Sequence, residues 1–236
     1  MTTHLNVARM TSSAWCYPLL NALQNNPKLV EKHKKWSSQK LSDLAFSIDG
    51  RLRALRILVH LIDKDLATLE RALEQDPVVE REIADGYAHV FGDMDLLAVH
   101  RVLVCMVSFI REARSCFENL ADFRSEFLVH YTEAQPEDDK ARYAALDDLL
   151  GKPEWIQKLR DLRHEVSHDR YPWLAFEGVE GPSTSYEPIL LLDWRPNATA
   201  LSDRIPLHTM RQIAAGIDTA IERLVQVLCE RTNQLR

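Results

Sequence analysis

Residues 41–73 read LSDLAFSIDGRLRALRILVHLIDKDLATLERAL. Apolar residues recur at Leu41, Leu44, Ile48, Leu52, Leu55, Val59, Ile62, Leu66, Leu69 and Leu73. Steps of three and four keep side chains on one side of a cylinder turning about 100° per residue. The stretch therefore predicts one long helix with a single buried stripe, with Asp49-Gly50 as a candidate kink. Residues 94–131 repeat the pattern at Leu96, Val99, Leu103, Met106, Ile110, Ala113, Phe117 and Leu120. A second stripe, Ala98, Val102, Cys105 and Phe109, runs beside it. Two adjacent stripes predict burial on two sides, so this helix is expected at the centre, antiparallel to the first. A last helix is expected after Pro206, with Met210, Ile213, Ile217, Ile221, Leu224 and Leu228 facing the core.

The segments around these three are punctuated by caps and breakers. Thr11-Ser12-Ser13 is a cap for a short helix to about Leu23, ended by Asn25-Asn26-Pro27. Pro27 opens another short helix, whose lysines read as a solvated face. Asp76-Pro77 predicts the start of a short helix through Val78 to His89, loosened by Gly86 and ended near Gly92. The acid-rich run Gln135 to Asp139 opens a helix to about Leu150, and Gly151 ends it. Pro153 starts the next helix and Pro172 closes it. Residues 173–179 and 186–194 are strand-like, with Gly181-Pro182-Ser183-Thr184-Ser185 as the turn. Pro188 is expected on an edge or at a delayed start. His89, His100 and His130 read as packed or surface residues rather than ligands. The expected fold is all-α: a helical bundle with two long antiparallel helices and a small β-hairpin insertion at 173–194, between the last two helices. Without repeats, low-complexity tracts or linkers, residues 1–236 read as a single domain.

Composition narrows the function. The 236 residues carry a formal net charge of -6, so a nonspecific nucleic-acid coat is excluded and any nucleic-acid contact is local. Cys16, Cys105, Cys116 and Cys229 form no C-x-x-C pair, which points to packed, reduced thiols and a cytoplasmic protein. The N-terminus carries no apolar signal core. The longest nearly unbroken apolar run, Val102 to Ile110, is far shorter than the roughly 20 residues that span a bilayer, so no membrane role is expected.

One run reads as a chemical site: Leu159-Arg160-Asp161-Leu162-Arg163-His164-Glu165-Val166-Ser167-His168-Asp169-Arg170-Tyr171-Pro172. On a helix, Trp155, Leu159, Leu162 and Val166 share one face. His164 and His168 fall about opposite, with Gln157 and Asp161, and Arg163 lies on a flank. The polar cluster is thus expected to point away from its own core, and the hairpin or a second copy would complete a cleft.

The run Arg163-His164-Glu165-Val166-Ser167-His168, near the end of a bundle helix with two long helices before it and one after, resembles the signature of the HEPN (higher eukaryotes and prokaryotes nucleotide-binding) superfamily. That signature is an arginine, a polar residue, three more residues and a histidine. The resemblance implies a metal-independent endoribonuclease without cofactor, working as a homodimer with paired motifs across a shared cleft. It implies that Arg163 holds the scissile phosphate. His168 is then the general base or acid and His164 orients the phosphate or Arg163, with Arg160, Arg170 and Tyr171 contacting RNA. It also implies a defence or toxin–antitoxin setting with an antitoxin or nucleotidyltransferase partner. Some such toxins carry a modified tyrosine two residues after the histidine; here that slot is Arg170. Other members are catalytically inactive modules that bind nucleotides or partners.

His164-Glu165-Val166-Ser167-His168 also matches the zinc-peptidase string H-E-x-x-H. Tyr171 and Leu174 stand where a metzincin needs glycine and its third histidine, Asp169 and Arg170 add charge, and Pro172 ends the helix. The expectation is therefore of no metal. A surface network of ion pairs among Asp161, Arg163, Glu165 and Asp169 is the plainest alternative.

Overall fold

The computed structural model describes residues 14–33, 40–75, 80–84, 87–91, 96–167, 173–179, 185–191, 204–206 and 208–235; throughout 80–84 and 87–91, and at part of several other elements, it describes the backbone alone. A 3-10 turn, Ala14–Cys16, leads into α1 (Tyr17–Gln24) and α2 (Val30–His33). The two long helices follow as α3 (Lys40–Gln75) and α4 (Leu96–Thr132). Then come α5 (Asp139–Leu150), α6 (Glu154–Ser167) and, at the end, α7 (His208–Gln234).

α3 forms one helix through Gly50. Leu41, Ile48, Leu52, Leu55, Ile62, Leu66 and Leu69 are buried, and Leu44 and Val59 half-buried. On α4 both stripes go inward: Leu103, Met106, Ile110, Ala113, Phe117 and Leu120 on one side, Ala98, Val102 and Phe109 on the other. α4 is accordingly the central element, contacted by α3, α5, α6 and α7. Polar bonds fix how α3 and α4 lie. Lys40 reaches Glu126 (2.6 Å), Asn119 donates to Ser47 (2.7 Å), Arg51 pairs with Glu112 (2.7 Å) and Arg101 with Asp65 (2.8 Å). Numbers rise along one helix as they fall along the other, so the pair is antiparallel. α7 lies antiparallel to α3 by the same logic, through Arg56–Asp218 (3.2 Å) and Asp63–Arg211 (2.6 Å), and buries the six residues its stripe predicts.

Buried polar groups have partners where the chain turns. Asn26 is wholly buried at the corner between α1 and α2. Its amide donates to the Thr232 carbonyl of α7 (2.8 Å), and its Oδ1 accepts from the Lys28 backbone N–H (3.0 Å). Asp138 caps α5 by accepting from the Ala141 N–H (2.8 Å). Gly151 ends α5 with φ of +76°, a left-handed turn that a residue without Cβ adopts freely.

After α6, β3 (Trp173–Val179) and β4 (Ser185–Leu191) pair antiparallel, with Trp173 opposite Leu191. Phe176 and Leu190 are buried in the bundle's core cluster, so the hairpin is part of the packing. A short strand, β5 (Arg204–Pro206), adds to β4 along Ile189 to Leu191. Pro188 falls just outside that pairing, on the stretch of β4 that is an edge.

The segment between the long helices departs from expectation. In place of a short helix through Val78 to His89 there is a second hairpin, Glu80–Ala84 (labelled β1) with Tyr87–Phe91 (β2). The physical cause is in the residues. Ile83, Tyr87, Val90 and Phe91 are β-branched or aromatic. Ala84 pairs with Tyr87, leaving Asp85-Gly86 between the strands, a dipeptide favoured at two-residue hairpin connections.

Candidate functional site

The helix that carries the site starts abruptly. Gly151 and Lys152 both have positive φ, +76° and +52°, and the Lys152 N–H closes back on the Asp147 carbonyl (2.8 Å). Pro153 follows, and α6 begins at Glu154. Ile156, Leu159 and Leu162 are buried. Trp155 is half-buried, edge-on to Phe117 of α4 with ring centroids 6.0 Å apart. Its indole also lies against Gly216 of α7, where a Cβ would come within 2.5 Å of the ring. That close approach explains a lone glycine inside an otherwise helix-forming, apolar-striped sequence.

The other side of α6 is polar and bonded along its own length. Gln157 and Asp161 are exposed and bond each other at 2.7 Å, and Lys158 pairs with Glu154 at 3.1 Å. Such one-turn pairs contribute about 0.2–0.5 kcal/mol each, whereas burying a leucine or isoleucine contributes about 1.5–3 kcal/mol. The apolar stripe therefore decides which face goes inward. Helical spacing carries the Gln157–Asp161 row on to His164.

Arg160 takes a different place from the outward row. It is half-buried, its guanidinium 2.5 Å from Asp147 Oδ2 of α5 and over the Phe117 ring at 6.0 Å. The pair joins α5 to α6 with a contribution of about 1 kcal/mol at most, since the arginine stays partly in solvent. The second oxygen, Asp147 Oδ1, is buried with no donor among the described residues. Neither partner of Arg160 was legible in the sequence, because both come from other helices.

Arg163 and His164 belong to the last turn of α6, where the backbone alone is described. His168, Arg170 and Tyr171 lie outside the described residues. What surrounds the turn is defined by α7. Trp155 meets Gly216 and Lys158 reaches Gln212 (3.5 Å), so α6 and α7 run antiparallel. The last turn of α6 is therefore at the end of the bundle where α7 begins. On the α3 side of that same end of α7 is a cavity of about 320 Å³, lined in part by Asp63, Glu70, Pro188, His208 and Arg211. Its walls come from α3, β4 and α7, segments far apart in sequence, so no single stretch announces it.

Among the described residues no group of three or more His, Cys, Asp and Glu could hold a metal ion; the His164 side chain and His168 of the zinc-peptidase string fall outside that set. No helix of the described residues is long and apolar enough to cross a membrane. None of the four cysteines is in a disulfide, and burial pushes the Cys116 thiol up to about 12. Burial also raises the Cys105 and Cys229 thiols, so these three are poor nucleophiles at neutral pH. No family model, curated protein or solved structure matches the chain.

Proposed function

We propose that the chain is a HEPN-like, metal-independent endoribonuclease whose site is shared by two copies. One observation carries the reading. α6 docks through Ile156, Leu159 and Leu162, and the exposed row of Gln157 and Asp161 on its other side is the row that helical spacing continues to His164. A helix whose last turn carries Arg163 and His164 of the sequence run Arg163-His164-x-x-x-His168, on a period that continues an outward row, offers polar groups to something beyond its own bundle.

The chemistry proposed is an internal displacement. His168 takes the proton of the RNA 2′-hydroxyl, the 2′-oxygen attacks the adjacent phosphorus, and the bond to the 5′-oxygen breaks. The leaving oxygen gains a proton, from the partner copy's histidine or from water, giving a 2′,3′-cyclic phosphate and a 5′-hydroxyl. Arg163 bonds the phosphate oxygens as their charge grows, a task suited to a planar guanidinium. Arg160, held by Asp147, positions α6, leaving Arg163 and Arg170 as the cations of the cleft. The defence or toxin–antitoxin setting, with an antitoxin or nucleotidyltransferase partner, belongs to the same proposal.

The test is cleavage of a labelled single-stranded RNA in the presence of a chelator. Wild-type protein is expected to cut, His168→Ala to lose at least about 100-fold in rate with its helical signal intact, and Arg163→Lys to recover only part of what Arg163→Ala loses. Dissociating and reassociating wild-type chains with an excess of His168→Ala chains should lower activity per wild-type chain. Unchanged activity, with mixed dimers demonstrated, overturns the shared site. RNA binding without cleavage makes the chain a binding module instead. Stoichiometric zinc held through His164 and His168 would favour the peptidase.

A further inference from the structure

We draw no further inference here: the strongest candidate, the exposed aliphatic surface patch of Ile57, Leu61, Leu97 and Val104 on the outer side of the α3–α4 pair, carries none, because nothing in the structure shows what covers it.

Discussion

α6 and the α3–α4 pair each bury an apolar stripe, but their outer faces differ. α6 covers its described outer face with Gln157, Asp161, Glu154 and Lys158, bonded to one another a turn apart. α3 and α4 instead leave Ile57, Leu61, Leu97 and Val104 exposed to solvent. The lesson concerns what exposure means. Polar side chains that bond along their own helix are content in water, whereas an aliphatic stripe in water is a surface that gains by being covered. The outward face of α6 is covered by polar pairs; the outward face of α3–α4 leaves aliphatic area in water.

Three substitutions sharpen that contrast, beginning with the largest effect. Phe117 is 1% exposed and underlies both Trp155 and Arg160. Phe117→Ala is expected to cost about 3–5 kcal/mol in denaturant unfolding. A loss below about 2 kcal/mol would mean that α6 is loosely docked and that its outer face is not fixed. Next is Gly216→Ala, which drives a methyl into the Trp155 ring. A loss of about 1–3 kcal/mol is expected, read as a lowered Tm, and Trp155→Leu in the same chain should relieve part of it. The smallest is a gain. Gly50 lies in the middle of α3, and a Cβ there would meet nothing within 4 Å. Gly50→Ala should raise stability by about 0.5–1 kcal/mol; no gain would mean that α3 needs a soft point there, against its description as one unbroken helix.

The long helices were legible because ten apolar positions at steps of three and four leave no other regular structure that buries them all. α7 was legible for the same reason, and the hairpin at 173–191 through its aromatic and β-branched runs. The hairpin at 80–91 was not, because Asp76-Pro77 reads as a helix start and Glu80-Arg81-Glu82 favours helix by intrinsic propensity. Deciding between them needed weight on Asp85-Gly86 as a hairpin connection. At the site, the outward row was legible through Asp161, since it depends only on helical period. The resemblance puts Arg160 among the RNA contacts, while the partners it takes in the structure, Asp147 and Phe117, lie 13 and 43 residues away in sequence. A side chain that leaves its helix for another is invisible to a rule built on one helix.

The bond from Asn26 to the Thr232 carbonyl spans 206 residues. Its consequence falls on synthesis. The α3–α4 hairpin can assemble from neighbouring segments as it emerges, but α1 and its corner wait for α7, which is made after every other described helix. Until then Leu19 and Leu23, fully buried in the finished fold, have no α7 to cover them. The nascent chain therefore carries an adhesive segment at α1 until α7 is made, and slow elongation near α7 would lengthen the time in which chaperones or aggregation compete for it.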